Sequence, residues 1–431
     1  MVAMGALKEE RNRLPRFFAV DFFCGGGGTT RGLIDAGGYV VAGIDKEPSC
    51  RETYERNNIN TTLDGSHARY LQRDIFERTE DYPEGQGDQV LAELDNLLAP
   101  YQEAYPDIPL LFAICAPCQP FTQMTRIELS DERAMARMRD RGLLGQTLRY
   151  VREFSPQLIL AENVAGIQAP KYGGVWQDFM EKLRELGYVV GTAIVDAMNY
   201  GVPQSRKRSI LIAINKVDCD PALIVDPGTE NERLIVRPRD PHARIVTVAE
   251  AIGHFPPVEA GGSHPGYRNH QAGRLSEINL RRIRMMEPGG KNLVLSNTEL
   301  ALPCHERVRA SKGQKQAFSD IYTRMAPDKP APTITTRCVS ISNGRFGHYE
   351  QDRGITVREA AALQSFPDDY EFIADGLMAC AKMVGNAVPP KLAQFFAEEL
   401  AKGLRKDARP FYCPDNGGTA DGSPALPQAA E

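Results

Sequence analysis

Apolar residues rich in β-formers recur along the first half of the chain in short runs, beginning with Phe17–Phe23 (FFAVDFF). A run of this length, bounded by turn residues, predicts a buried strand. Gly25 to Gly28 follow it, then a helix-compatible stretch from Thr29 to Ala36, so the chain opens as strand, turn, helix. A second run, Tyr39–Ile44, ends on Asp45, and others recur at Leu110–Cys115, Gln157–Ala161, Tyr188–Val195 and Ser209–Ile214. Helix-compatible segments lie between them at Gln89–Leu98, Leu144–Phe154 and Val175–Leu186. This alternation predicts an α/β parallel sheet. From about residue 216 to 350 the periodicity weakens and Pro, Gly, Arg and His become frequent, which predicts a separate, smaller and irregular domain. Helical patterning returns at Thr356–Gln364 and Pro390–Leu404, and residues 407–431 form a polar Pro/Gly/Ala tail expected to be disordered.

Composition narrows this picture. At 431 residues the chain exceeds what one hydrophobic core fills, so two domains are expected. No window approaches the roughly 18 consecutive apolar residues of a membrane span. The first residues mix acids and bases without an apolar stretch, so nothing marks the chain for export and a cytoplasmic location is expected. Nine scattered cysteines then read as reduced thiols. The net charge of −5 argues mildly against a polyanionic partner until it is divided by region. Residues 231–350 hold 18 Lys and Arg against 11 Asp and Glu, a balance of +7 that leaves −12 for the rest. Such asymmetry fits either a region facing nucleic acid or an ordinary solvated face.

Three clusters carry candidate chemistry. In Asp21–Gly28 (DFFCGGGG) glycines stand where a strand turns into a helix, which lets a ligand approach the backbone, or else makes a tight turn with no ligand. Asp45 closes the next strand, where a carboxylate can accept from a ribose diol. The fingerprint G-x-G-x-x-G is not met, since Thr30 or Arg31 stands in place of its third glycine, which disfavours a dinucleotide. In LFAICAPCQPF (111–121) Cys118 is held between prolines at a strand end. It reads as a nucleophile, a redox pair with Cys115, half a zinc site or an inert packed thiol; no second C-x-x-C exists to complete a zinc site. Glu162 ends another apolar strand, where partial desolvation is expected to raise its pKa and let it serve a ring nitrogen; a helix cap is the bland alternative. In Gly201–Arg208 (GVPQSRKR), alternation points Arg206 and Arg208 to one side, towards an anionic or carbonyl-bearing ligand or simply towards solvent.

In this order the segments resemble the C5-cytosine-specific DNA methyltransferase family over roughly Phe17–Ile214 and Thr356–Leu404. DFFCGGGG resembles its S-adenosylmethionine motif, P-C-Q (117–119) its catalytic motif, E-N-V (162–164) its base-binding motif and Q-S-R-K-R (204–208) its Q-x-R-x-R motif. T-V-R-E-A-A (356–361) with F-P-D (366–368) resembles the segment bracing the recognition domain, and G-N-A-V-P-P (385–390) the closing cofactor motif. The resemblance implies a Rossmann-like S-adenosylmethionine-dependent methyltransferase sheet with a smaller, irregular target-recognition domain. It divides the chain into an extension (1–16), a catalytic domain (17–225, completed by 370–406), a target-recognition domain (226–369) and the tail.

The resemblance further implies that Phe23, Gly25, Gly27, Asp45, Asp74, Pro117 and Asn386 hold the cofactor S-adenosylmethionine, with Asp45 on the ribose and Asp74 on the adenine amino group. Lys46 departs from the large apolar residue expected after the ribose-binding acid, as Cys115 and Ala116 do from the residues expected before P-C-Q. Catalysis falls to Cys118, which adds to cytosine C6, to Glu162 at N3 and the exocyclic amine, and to Arg206 at O2. Duplex DNA is the implied partner, contacted by Gln119, Thr122, Arg208, Arg281, Arg282, Arg284, Arg324, Arg337 and Arg345, with Lys312 and Lys315 as further basic candidates. The target base must be flipped out of the helix. No metal is expected. A monomer is, acting beside a restriction endonuclease that need not bind it. A tRNA methyltransferase, whose C-F-T motif is not found here, a catalytically dead DNA-binding relative and a C-x-x-C oxidoreductase are the alternatives.

Overall fold

The computed structural model describes residues 14–118, 121, 139–172, 174–237, 244–303, 305–307 and 319–405. β1 (Phe18–Phe22) is buried along its whole length and leads through the glycine turn into α1 (Gly28–Asp35) and β2 (Tyr39–Asp45). After α2 (Arg51–Asn57) come β3 (Arg69–Gln72), α3 (Gly87–Ala104), β4 (Leu110–Ile114), α4 (Leu143–Phe154) and β5 (Leu158–Val164). α5 (Val175–Glu185) leads to β6 (Tyr188–Asp196), and β7 (Lys207–Asn215) completes a seven-stranded sheet in the order β3-β2-β1-β4-β5-β7-β6.

β1 to β5 pair in parallel, but the expectation of a parallel sheet is corrected at one edge. β7 runs antiparallel to both β5 and β6. Residues 197–206, one 3-10 turn and a loop, are the whole link from β6 to β7, shorter than the dozen or more residues a parallel crossover needs. β3 escaped the pattern because only Tyr70 of its four residues is fully buried.

A two-stranded hairpin, β8 (Ile224–Val225) with β9 (Arg233–Leu234), follows the sheet. The described residues of 244–355 include the short helices α6 (Val248–Ile252) and α7 (Glu277–Arg284), with turns and isolated bridges between them. The chain returns to the sheet through α8 (Val357–Leu363), α9 (Leu377–Asn386) and α10 (Pro390–Lys402), the last packed against α1. Among the described residues no helix is long and apolar enough to cross a membrane.

Strand alternation sorts the core into two layers. Phe18, Val20, Phe112 and Ile159 pack beneath Leu94, Leu148 and Phe179 of α3, α4 and α5. On the other face Ala19, Val40, Leu111 and Ile212 join Leu33 of α1 and Phe396 of α10, and this layer continues into Ile252, Phe255, Met325, Phe346 and Ile355 of the irregular region.

A buried polar knot fastens that region to α8. Arg353 grips Glu359 with two hydrogen bonds, Nη1 to Oε2 at 2.8 Å and Nη2 to Oε1 at 2.7 Å. Glu359 Oε2 also accepts from Thr356 N–H (2.8 Å) while the Thr356 hydroxyl accepts from Glu359 N–H (3.1 Å), a capping box that starts the helix. Burial pushes the Glu359 carboxyl up, yet the hydrogen bonds and charge of Arg353 outweigh it and hold the group below its ordinary range. Arg358 donates to the carbonyls of Asp368 (2.8 Å) and Tyr370 (2.6 Å), which ties α8 to the loop that follows it.

Candidate active site

The carboxyl ends of β1 and β2 form the first half of the site. Phe23 (φ 63°) and Gly25 (φ 49°) turn the chain sharply, and both are only half-buried, whereas the rest of Cys24–Thr30 is buried. A Cβ placed on Gly25 would meet nothing within 4 Å, so the turn leaves open space over its backbone. Gly25 N–H donates to Asp45 Oδ2 and Glu47 N–H to Asp45 Oδ1, each at 2.9 Å. Each carboxylate oxygen keeps a lone pair for a hydroxyl. Burial pushes the Asp45 carboxyl up, and these two backbone hydrogen bonds pull it back.

Gly27 also answers to a packing constraint: at φ 89° its Cβ would lie 2.1 Å from Asn58 Nδ2 and 2.6 Å from Tyr370 Oη. Asp74 accepts from Tyr82 Oη (2.7 Å) and from Phe76 N–H (3.1 Å), and Lys46 Nζ stands 3.9 Å away. These two residues line one cleft with Arg51, Gln72, Arg73 and Gln86. The lysine that replaces the expected apolar residue therefore pairs with the carboxylate expected to meet the adenine. Asn386 is exposed at the end of α9.

The second half lies where β4 and β5 end and β7 begins. Glu162 and Arg208 sit diagonally on neighbouring strands, since Glu162 faces Ile210 and Val164 faces Arg208 in the register. Arg208 Nε meets Glu162 Oε1 at 2.7 Å with both side chains nearly buried. Arg208 Nη1 donates to the Lys207 carbonyl (2.8 Å). Burial pushes the Cys118 thiol up; Arg208 pulls it down, Glu162 pushes it up and Arg206 pulls it down. Asn163 Nδ2 donates to the Ala116 carbonyl (3.0 Å), which ties the end of β5 to the loop that carries Pro117 and Cys118.

Arg206, expected at ring O2, is corrected by its contacts. Nη1 donates to the Ile334 carbonyl (2.9 Å) and Nη2 to those of Gly385 and Ala387 (3.2 Å each), and the side chain is buried. Its place just ahead of β7 turns it into the interior, where it joins the end of α9 to residue 334. Burial pulls its guanidinium down to about 9, with Arg208 adding to the effect.

The family model for C-5 cytosine-specific DNA methylases matches residues 17–402. The chain belongs to this family. It is 35% identical to the Type II methylase M.HgiDII of Herpetosiphon aurantiacus over 89% of this chain and 95% of that one. It is 30% identical to the Type II methyltransferase M1.HphI of Haemophilus parahaemolyticus over 89% and 86%. The fold is shared with the S. pombe Dnmt2 methyltransferase structure at a TM-score of 0.53 and 16% identity, covering 90% of this chain and 98% of that one. Membership makes the chain a methyltransferase and implies S-adenosylmethionine as its methyl donor.

The methylase commits several of its expected DNA-contacting arginines elsewhere. Arg282 turns into the interior, donating to Leu300 (3.0 Å) and Ala301 (3.2 Å) carbonyls and to Asn279 Oδ1 (2.9 Å). Arg324 is buried on the carbonyls of Met286 (2.9 Å), His348 (3.0 Å) and Gln351 (2.7 Å) and on Asp352 (2.5 Å). Both are corrected to framework residues: in a region poor in regular structure, guanidinium groups satisfy carbonyls that no strand or helix pairs. Arg281 pairs with Glu299, Arg284 with Asp352 (3.1 Å) and Arg345 with Asp320 (3.4 Å), all at the surface. Arg337 is exposed. Gln119, Thr122, Lys312 and Lys315 lie outside the described residues.

The methylase also uses residues that the sequence reading passed over. Gln204 donates to Gln364 Oε1 (2.7 Å) and accepts from Ile334 N–H (2.8 Å), which joins β7, α8 and the irregular region. Its presence in Q-S-R-K-R was the available signal. Among the described residues the cysteines are free thiols, Cys115 and Cys118 included, and no group of three or more His, Cys, Asp or Glu is placed to hold a metal.

Proposed function

We propose that the chain takes a cytosine flipped out of duplex DNA and methylates it at C5, with Cys118 as nucleophile, Glu162 on the N3 and amino edge, and Arg208 on O2. The pairing of Glu162 with Arg208 beside Cys118 carries this reading, since it brings a thiol, a carboxylate and a guanidinium into one another's electrostatic reach. The open turn at Gly25 and the free lone pairs of Asp45 suit a nucleoside sulfonium, with Phe23 beside it, Asp74 towards its adenine and Asn386 closing the pocket. When bound, S-adenosylmethionine supplies an electrophilic methyl group.

C5 of cytosine is too weak a nucleophile to take that methyl unaided. Addition of the Cys118 thiolate to C6 makes C5 an enamine carbon, and Glu162 stabilises the charge that develops on the ring. Arg208 Nη2, which makes no hydrogen bond within the described residues, is left to meet O2. C5 then takes the methyl group, loses its proton to water, and expels Cys118. Residues 226–369 are the proposed target-recognition part, and 17–225 with 370–406 the catalytic part. The likeness to two Type II methylases supports a place in restriction and modification.

The test is transfer of labelled methyl from S-adenosylmethionine to duplex DNA and, separately, to tRNA. Label at cytosine C5 of DNA is expected; label in tRNA alone, or in neither, overturns the reading. A second outcome concerns pH. Arg208 lowers the Cys118 thiol, so Arg208→Gln is expected to raise it further and to leave Glu162 uncompensated beside it. Cys118 alkylation by iodoacetamide should then rise at higher pH in the variant than in the wild type. An unchanged profile would remove Arg208 from the thiol's surroundings.

A further inference from the structure

Among the exposed arginines expected to meet DNA, Arg337 combines freedom with anchorage. Arg281, Arg284 and Arg345 are each paired with an acid, whereas the Arg337 side chain has no hydrogen bond or ion pair within the described residues, its backbone carbonyl alone accepting from Ser340 N–H at 3.0 Å. Yet the backbone on either side of it is fixed. Upstream, Ala331 N–H donates to the Pro203 carbonyl and Ser205 N–H to that of Ala331, each at 2.9 Å. Ile334 is held at its N–H by Gln204 Oε1 (2.8 Å) and at its carbonyl by Arg206 Nη1 (2.9 Å). Pro203 to Arg206 run straight into β7, whose Arg208 lies on Glu162, so residues 331–334 are fixed relative to the catalytic carboxylate. Downstream, Cys338 is buried and its N–H closes a turn on the Thr335 carbonyl at 3.1 Å.

Arg337 therefore stands at the exposed apex of a turn whose two ends are held, one of them to the strand that carries the active site. Three residues of chain span at most about 10 Å, and successive base pairs rise about 3.4 Å. A guanidinium so placed stays near the Ile334 anchor, which favours base pairs close to the flipped cytosine. A fixed backbone lowers the ordering cost of the contact, and the planar fork matches the O6 and N7 acceptors of guanine. We propose that Arg337 is a sequence-reading residue of the methylase, taking the major-groove edge of a guanine within about three base pairs of the target. This rests on the duplex DNA methylation proposed above.

The test is methylation of a duplex library with randomised bases flanking the cytosine, read by bisulfite sequencing for the wild type, R337A and R337Q. The wild type is expected to require guanine at one flanking position. R337A should lose that requirement, slowing about 10- to 100-fold on guanine-bearing sites and little on the others. Cofactor binding, measured by calorimetry, should stay at the wild-type level. R337Q, which keeps polarity and most of the volume, should relax the same position and serves as the readout where R337A does not fold. An equal loss on every sequence, with a salt dependence weakened by one charge, would make Arg337 a phosphate contact and overturn the inference. So would an unchanged preference, or a wild type indifferent to guanine at every flank. A wild type that methylates no duplex removes the functional reading itself, and this inference with it.

Discussion

Cys118→Ala is expected to abolish methyl transfer, a loss of at least about 10⁴-fold, because no other described group is placed to activate C5 by addition. A weak C5 nucleophile gains nothing from the remaining contacts, however well Glu162 and Arg208 hold the ring. Binding should survive, since the elements that would carry cofactor and DNA lie elsewhere. The Gly25 turn and Asp45 sit at the ends of β1 and β2, while Cys118 follows β4. Three measurements check this together: label incorporation into DNA, equilibrium binding of S-adenosylmethionine, and a denaturation-stable adduct with duplex carrying 5-fluorocytosine. The fluorine at C5 cannot leave as a proton does, so the wild type should stay joined to the base through Cys118. The variant should form no adduct while binding cofactor as tightly as the wild type. Residual transfer within tenfold of the wild type would remove Cys118 from the reaction.

The second large effect is on stability. Arg353 and Glu359 are buried and joined by two hydrogen bonds between α8 and the irregular region. Arg353→Ala leaves the Glu359 carboxylate in the interior without its cation, and removing one partner of such a pair costs about 3–5 kcal/mol. Urea unfolding of the full chain should show that loss as a lower midpoint. The double change Arg353→Met with Glu359→Met removes both charges, and most of the loss should be recovered. Equal instability in the double variant would show that packing, not the stranded charge, sets the cost.

The same knot sets an acid limit. The Glu359 carboxyl is held below its ordinary value, so the stability it contributes is present above the unfolded value of about 4.3 and is lost as pH falls through the folded one. Burial also holds His348 down to about 4, so its share is complete above about 6.5 and lost on descending towards 4. Unfolding midpoints should therefore decline from about pH 6.5 downwards, and Glu359→Gln should flatten the lowest part of that decline.

How much of this was legible beforehand varies with the physics of each element. Strands buried on both faces, such as Phe18–Phe22 and Leu158–Val164, are apolar along most of their length, so their runs stood out. Arg69–Gln72 lies at the sheet's edge and half in solvent, and left no such trace. The chain's own order also placed Cys118, Glu162, Asp45 and the glycine turn at strand ends, because ligand sites of α/β sheets form there.

Side-chain commitments were another matter. Arg206 and Arg208 look equivalent in Q-S-R-K-R, and alternation even points them to one side. Yet one is drawn into carbonyls of residues 334, 385 and 387, and the other lands on Glu162. Arg282, Arg324 and Arg337 are likewise identical letters in a basic region, separated only by whether unpaired backbone carbonyls or solvent surround each one. Gly27 is pressed against Asn58 and Tyr370, the latter more than three hundred residues away, a constraint that no local spacing announces. Periodicity and local spacing are properties of neighbouring residues, so the sequence by itself determined six of the sheet's seven strands, the family and the acid, thiol and turn of the site. Which cation meets which partner depends on groups brought together from distant segments, and only the tertiary structure decided it.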